Sequence, residues 1–478
     1  MDHLPLSKKT KIVATLGPAS DTYEVIKELV LAGLNVARLN FSHGTHPEHL
    51  GRLQIVRQLS KELETPIAIM QDLQGPKIRL GTCDNESIVV QRGDTIGLEL
   101  GLEQKNKNLP VQFDIFKTLS AGDEVLINDG LVKLKVENVT ESSADCIVVA
   151  GGEIRSHKGI NVPGKRIQNA TLSQKDLQDL EFGIQHNVDY IALSFVQDGD
   201  DIKKVRTLLE KYEYQPKIIS KIECLAAVQN LESIIKESDG VMVARGDMAI
   251  EVGQEEVPLI QRKIIELCKK YNTPVIVATQ MLESMIHNIE PTRAEVNDIA
   301  TAVLDQVDAV MLSAESAHGD YPIQAVQMMA KIIKRVEEYQ KESDKQFVPL
   351  QIRDSIHKTP AITSAAALLS YELRAKVVFA ITSTGNTAFK LATNRITTPM
   401  VAITNNEFTY RQLALVWGIT SYFVPEIHSN EHAVEEALSY IKKVMKLENG
   451  DNVIVVASNQ PSIAGTTNII RVEVIGNN

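Results

Sequence analysis

Eight times along the first two-thirds of the chain a short run of Val, Ile, Leu, Met and Ala ends in a polar or glycine-containing turn. This recurrence limits the fold more than any other feature. The runs are KIVATLGP at 11–18, NVARLNFSHG at 35–44, PIAIMQDLQG at 66–75, DYIALSFV at 189–196, PKIISKIE at 216–223, GVMVARGD at 240–247, PVIVATQM at 274–281 and DAVMLSAES at 308–316. Runs this uniformly apolar suit strands buried on both faces of a parallel sheet. Helical periodicity fills most of the intervals, at 22–32, 47–63, 198–213, 254–271 and 292–306, the last opened by a capping-box pair, Thr292 and Glu295. Eight β-then-α units predict a (β/α)8 TIM barrel. An open doubly wound sheet is the alternative. The barrel is favoured because polar residues gather at the C-terminal end of nearly every run, the face that carries barrel active sites.

The interval between the third and fourth runs has a different texture. SIVVQ, DEVLI, LVKLKVENV and DCIVVA alternate in polarity and are separated by RGD, AGD, NDG and GGE turns. That pattern predicts an all-β barrel insert after strand 3, at 75–168, over the mouth of the main barrel. From 345 to 478, KVVFAITST, PMVAITN, SYFVPEI, DNVIVVAS and IIRVEVIG alternate with helical stretches and predict a smaller C-terminal α/β domain. The barrel then comprises 1–74 and 169–344, and three domains agree with a length of 478 residues at roughly 150 per domain.

A net charge of −11 argues against a nucleic-acid binder. It does not forbid an anionic substrate, because local clusters set the field in a cleft. Cys83, Cys146, Cys224 and Cys268 form no C-x-x-C pair, so neither a zinc site nor a disulfide framework is expected, and a reducing cytoplasm fits. No signal-peptide h-region opens the chain, and no apolar run is long enough to span a membrane.

The strand ends collect the chemistry. The second run ends in Arg38, Asn40, Ser42 and His43, and the third in Asp72, followed by Lys77 and Arg79. The fifth supplies Lys221 and Glu223, the sixth Arg245 and Asp247, the seventh Thr279 and Gln280, the eighth Ser313 and Glu315. Cations around a carboxylate-held hard metal ion are what phosphoryl transfer needs. Each residue also has an ordinary reading. Lys221 and Glu223 share a strand face and can form a simple salt bridge; Thr279 and Ser313 alone read as helix-capping hydroxyls. His43, His46 and His49 read as helix-start and surface histidines, with His43 also a candidate phosphate contact. Neither G-x-x-x-x-G-K-[ST] nor G-x-G-x-x-G occurs.

ARLNFSHG at 37–44, DLQGPKIR at 72–79, KIISKIE at 217–223, MVARGDM at 242–248, ATQMLESM at 278–285, PTRAEVNDIA at 291–300 and DAVMLSAES at 308–316 together resemble the pyruvate kinase family. The resemblance is strong from residue 10 to about 335 and weaker in the last domain. It implies phosphoryl transfer from phosphoenolpyruvate to ADP, giving pyruvate and ATP, with Mg²⁺ or Mn²⁺. Lys221 would stabilise the moving phosphoryl; Glu223 and Asp247 would hold the metal; Arg38 and Arg79 would grip phosphate. Thr279 would flank the carbon that gains a proton, and Ser313 and Glu315 would order the water chain that delivers it. Backbone at Ala244, Arg245, Gly246 and Asp247 would cradle the substrate carboxylate. His43, Arg79, Lys158 and Asn161 resemble nucleotide contacts, and the insert would be a lid that excludes water. The family also implies a cytoplasmic homotetramer.

Some positions depart from the family pattern. CLAAV after Glu223 puts Cys224 and Ala226 where polar residues are usual. GDMAIE stands for GDLGVE and SAESAHG for SGETAKG. Potassium-activated members have Glu where this chain has Lys77, beside a monovalent site matching Asn40, Ser42, Asp72 and the carbonyl of Leu73. A lysine there would supply the ion's charge, so no added K⁺ is expected. The last domain in this family often binds a phosphorylated activator; here TSTGNT, residues Thr382, Ser383, Thr384, Gly385, Asn386 and Thr387, follows a strand and opens a helix, a phosphate-binding pattern or an ordinary capped turn. Two rivals are a metal-dependent aldolase or lyase on the same barrel, and a non-catalytic binding protein that keeps the fold.

Overall fold

The computed structural model describes residues 8–76, 78–84, 87–104, 108–128, 130–165, 172–343, 358–459 and 467–476. All eight apolar runs are strands: β1 (Lys11–Leu16), β2 (Val36–Asn40), β3 (Ala68–Asp72), β4 (Tyr190–Leu193), β5 (Lys217–Ile222), β6 (Gly240–Ala244), β7 (Val275–Ala278) and β8 (Ala309–Leu312). They form a closed parallel barrel in the order β1-β8-β7-β6-β5-β4-β3-β2. Burial on both faces explains their composition: Ile12, Val36, Ile69, Ile191, Ile219, Val241, Ile276 and Val310 are all fully buried. The expected capping box also forms, with Thr292 Oγ1 accepting the Glu295 N–H at 3.3 Å and Glu295 Oε2 accepting the Thr292 N–H at 2.7 Å.

A fourfold repeat holds the N-terminal ends of the strands. The residue just before each even strand is Asn35, Asp189, Asp239 or Asp308. Each donates its backbone N–H to one residue of the preceding odd strand: Asn35 to Ile12 O, Asp189 to Ile69 O, Asp239 to Ile218 O and Asp308 to Val275 O, at 2.9–3.0 Å. Its side chain accepts the N–H of that same residue, at 3.0, 2.7, 2.9 and 3.0 Å respectively. A basic side chain completes each ring: Lys8 on Asn35, Arg57 on Asp189, Arg206 on Asp239 and Arg395 on Asp308. The rings fix the stagger of odd and even strands, and they satisfy N–H groups that begin a strand with no ladder partner.

By its contacts the chain falls into two compact units, residues 1–72, 183–191 and 268–478, and residues 73–182 and 192–267. The second holds β5, β6 and the insert. Six insert strands pair in the order Ile160–Asn161, Glu124–Ile127, Val132–Val139, Ser143–Ala150, Thr95–Leu100, Leu109–Val111, and Ser87–Val90 pairs with Gly152–Arg155. Leu98, Leu109, Val125, Ile127, Val132 and Leu134 form its dry centre. Between the two sheet edges run residues 78–81: Arg79 bridges Gly159 and Leu80 bridges Val111, through Leu80 N–H to Lys158 O, Ile160 N–H to Ile78 O, Gly81 N–H to Pro110 O and Gln112 N–H to Arg79 O at 2.8–3.1 Å. The expected β-barrel insert is thus a six-stranded sheet whose two edges are both paired by this short segment.

The first unit holds β1, β2, β3, β7, β8 and the C-terminal sheet. That sheet is built from β9 (Val377–Ile381), β10 (Met400–Thr404), β11 (Ile419–Phe423), β12 (Asn452–Ala457) and β13 (Ile469–Val474), in the order β11-β10-β9-β12-β13. Only β13 runs antiparallel. It docks on the strand starts through the rings above. Arg395 reaches Asp308, Arg411 Nε donates to Asp189 at 2.8 Å, and the buried Lys11 ammonium donates to Ile419 O at 2.7 Å. Burial pulls the Lys11 ammonium down to about 8, against the attraction of Glu337. An amine held below its unfolded value of about 10.5 binds fewer protons folded than unfolded between those two values. Stability should therefore rise with pH from about 8 to 10.5, by at most about 1.4 kcal/mol per pH unit for this group, and the gain should vanish below that window. Urea titrations at pH 7, 8.5 and 10 should show a shallower rise for Lys11→Met; an unchanged slope would contradict the burial effect.

Candidate active site

The strand ends of the second unit bring together Lys221, Glu223 and Asp247. Lys221 and Glu223 lie two apart at the end of β5, and the Lys221 ammonium stands 2.9 Å from Glu223 Oε1 with both side chains nearly buried. The ammonium also donates to Ser194 Oγ at 2.7 Å, and the Ser194 hydroxyl donates to Leu73 O at 2.7 Å. Phe195, at a positive φ of 57°, aims its N–H at Glu223 Oε2, 2.8 Å away. Burial raises the Glu223 carboxyl, Lys221 pulls it back down, and the negative charge of Asp247 pushes it up again. Asp247 is close enough for its charge to be felt there because it sits in the first turn of the helix Arg245–Val252, which follows β6 directly. Around the Glu223 carboxyl, one ammonium and one further carboxylate make themselves felt. Two carboxylates in that setting suit a hard divalent ion, which one or two carboxylates usually hold. Among the described residues no cluster of three or more His, Cys, Asp or Glu side chains forms a larger metal site.

The first unit supplies the other strand ends. Arg38 lies opposite Thr15 across β1 and β2. Its Nε donates to Asp72 Oδ2 at 2.7 Å and its Nη1 to Thr15 Oγ1 at 2.8 Å, so the guanidinium plane is fixed. Thr279 and Gln280 both adopt positive φ, 68° and 54°, directly after β7. Such conformations cost about 1–3 kcal/mol and concentrate at functional sites. Glu315 is buried, and its carboxyl accepts the N–H groups of Leu282 at 3.1 Å and Ser313 at 2.7 Å. Burial raises it above the ordinary carboxyl range. The capping reading of Thr279 and Ser313 does not hold: the Thr279 hydroxyl bonds Ala278 O at 2.6 Å, and Ser313 precedes the helix Ala314–Ala317 without a side-chain cap bond.

The residues expected at the nucleotide separate by unit. Arg79 bridges Gly159, the residue after Lys158, and the Arg79 guanidinium donates to His157 O at 3.1 Å. Asn161 Nδ2 is engaged by Glu251 Oε1 at 3.3 Å. His43 is exposed in the first unit. His49 is not a surface histidine. It is buried, stacked on Phe41 with ring centroids 4.1 Å apart, and its Nε2 lies 2.9 Å from His43 O. Of the monovalent-site residues, Asn40 Oδ1 accepts the Ser42 N–H at 3.1 Å, Asp72 holds Arg38 and Leu73 O accepts from Ser194. Lys77 lies outside the described residues. In the C-terminal loop, Thr382 Oγ1 accepts the Gly385 N–H at 2.9 Å and Thr387 pairs with Thr467 at 2.7 Å, both buried, while Thr384 and Asn386 are exposed and Ser383 half-buried.

Sequence reasoning missed Ser194, Phe195, Thr15 and Glu251. Ser194 and Phe195 do close the fourth run, so the strand-end rule could have found them. Thr15, near the end of the first run, carries the same signal; Glu251 carries none. Cys224 is buried and its thiol is pushed up to about 12, so it fills space as a neutral group.

A family model for the pyruvate kinase barrel domain matches residues 7–326, and one for the pyruvate kinase alpha/beta domain matches residues 360–473. The pyruvate kinase of Clostridium perfringens is 39% identical over 98% of this chain and 100% of its own length. Pyruvate kinase 2 of Synechocystis is 38% identical over 99% of this chain and 80% of its own. The crystal structure of a pyruvate kinase from Cryptosporidium parvum matches with a TM-score of 0.91 and 33% identity, covering 99% of this chain and 97% of that one.

Proposed function

The chain belongs to the pyruvate kinase family of phosphotransferases, and from this premise we propose that it moves the phosphoryl group of phosphoenolpyruvate to ADP at the C-terminal ends of β5 and β6. The observation that carries the reading is the buried Lys221–Glu223 pair, whose carboxyl also feels the charge of Asp247. Members of the family generally depend on Mg²⁺; an ion held by Glu223 and Asp247 would offset negative charge on the substrate oxygens. The chain's own groups do the rest. Lys221, locked between Glu223 and Ser194, offers a fixed positive charge to the transferring phosphoryl. Arg38 and Arg79 bind phosphate oxygens. The N–H groups at Gly246 and Asp247, at a helix start, face the substrate carboxylate. Thr279 flanks the carbon that is protonated, and Ser313 and Glu315 order the water chain that delivers the proton. His43, Arg79, Lys158 and Asn161 contact the nucleotide.

The same reading extends to regulation. Lys77 replaces the monovalent ion at Asn40, Ser42, Asp72 and Leu73. The loop Thr382–Thr387 takes a sugar phosphate or nucleoside monophosphate, in a homotetramer. The test is a coupled pyruvate assay with Mg²⁺, in tetramethylammonium buffer with and without KCl and with a panel of sugar phosphates. Pyruvate should appear only when ADP is present, K⁺ should add little, and one phosphorylated compound should shift the phosphoenolpyruvate saturation curve. Phosphoenolpyruvate loss without ADP would favour the lyase, and absence of turnover the binding protein. Activity almost lost without K⁺ would remove the role of Lys77.

A further inference from the structure

Two segments join the insert to the barrel, one leaving after β3 and one returning ahead of the helix Gln174–Gln185. One side chain holds both. Asp176 is fully buried. Its Oδ1 accepts the N–H of Gly75 on the outgoing segment at 3.0 Å. Its Oδ2 accepts the N–H of Ser173 at 2.8 Å and the Ser173 hydroxyl at 2.6 Å on the returning one. The Asp176 N–H donates in turn to Ser173 Oγ at 3.1 Å. Ser173 and Asp176 by themselves make an ordinary reciprocal helix cap. Gly75, 101 residues earlier, belongs to no such cap.

The outgoing contact leads to the reacting groups. Gly75 adopts a φ of +73°, and a Cβ there would stand 2.9 Å from Ser194 Cβ and 3.0 Å from Ser194 O. The bare backbone of Gly75 is therefore packed directly on Ser194. The Ser194 hydroxyl accepts from Lys221 and donates to Leu73 O, both at 2.7 Å. A continuous series of contacts runs from Asp176 through Gly75 and Ser194 to the Lys221 ammonium.

We infer that Asp176 is a positioning residue for phosphoryl transfer, setting the register of both hinge segments of the insert and, through Gly75 and Ser194, the place of Lys221. The inference rests on the reaction proposed above. Catalytic groups displaced by about 1 Å from a remote change lose up to about a hundredfold in rate.

The experiment compares Asp176→Asn with Ser173→Ala in the full chain. Asn keeps the size of Asp176 but offers one acceptor oxygen instead of two, so one segment is released. Its kcat should fall by about tenfold to a hundredfold, with a raised KM for ADP. Hydrogen exchange at the Gly75 amide should quicken by about tenfold or more. Ser173→Ala removes the cap hydroxyl and leaves the Gly75 bond, so it should lower the melting temperature while kcat stays within about twofold. Gly75→Ala strikes the same series from the other side and should also lower kcat. Wild-type kcat, KM and Gly75 exchange in Asp176→Asn would overturn the inference. So would equal losses of turnover in Asp176→Asn and Ser173→Ala, which would make Asp176 a helix cap alone. If Asp176→Asn does not fold, wild-type kcat in Gly75→Ala overturns it. The exchange measurement needs no substrate. A wild type that makes no pyruvate, alongside a loosened Gly75 in Asp176→Asn, would therefore sink the reaction and keep the hinge.

Discussion

Replacing Lys221 with methionine is expected to lower kcat by about a hundredfold to a thousandfold, the usual cost of removing one preorganised charge from a transition state. Methionine keeps most of the stem and drops only the ammonium. In the structure that ammonium is 2.9 Å from Glu223 and 2.7 Å from Ser194, with 11% of the side chain exposed. Its position is set before substrate arrives, so little reorganisation is required during transfer. The loss should fall on kcat more than on the KM for phosphoenolpyruvate, because the charge that Lys221 meets grows in the transition state. Steady-state kinetics measures both constants. Equal kcat for the two proteins would place the chemistry elsewhere.

The largest expected stability loss lies at the opposite end of the barrel. Asp189→Ala should destabilise the chain by about 3–5 kcal/mol, since it removes a buried carboxylate shared by two largely covered cations and a buried N–H. The Asp189 side chain is fully buried and joins Arg57 Nη2 at 2.9 Å, Arg411 Nε at 2.8 Å and the Ile69 N–H at 2.7 Å. Little solvent reaches those bonds, with the Arg57 and Arg411 side chains 19% and 11% exposed. The fourfold repeat supplies its own control. Asp239 makes the equivalent ring with Ile218 and Arg206, but the side chains are 27% and 39% exposed. Water can take over there, so Asp239→Ala should cost far less, on the order of 1 kcal/mol. Urea unfolding of both variants checks this. Similar losses would show that burial does not decide the strength of the rings.

Much of this architecture was legible because strand burial writes itself into composition. Each apolar run became a strand, and the Thr292–Glu295 pair opened its helix as its spacing implies. Lys221 and Glu223 were readable as a same-face pair, since strand side chains alternate. What stayed hidden depends on partners distant in sequence. Nothing in Asp176 marks it as the ligand of Gly75. Asn35, Asp189, Asp239 and Asp308 look like ordinary turn residues until the neighbouring strand presents its N–H. His49 was misread for the same reason, because Phe41 covers it only once β2 and the following helix pack. Ser194 sat at a strand end in plain view, yet a serine alone has too many ordinary uses to stand out. The C-terminal loop was readable as a turn, but not which of its hydroxyls the fold itself would consume.

The metal site offers the most direct test. Mn²⁺ binding followed by electron paramagnetic resonance should show one tight ion per wild-type chain. Glu223→Gln and Asp247→Asn should each weaken it by about tenfold or more, because affinity for a hard ion follows ligand charge. Wild-type affinity in both variants would mean that these carboxylates hold no common ion beside Lys221.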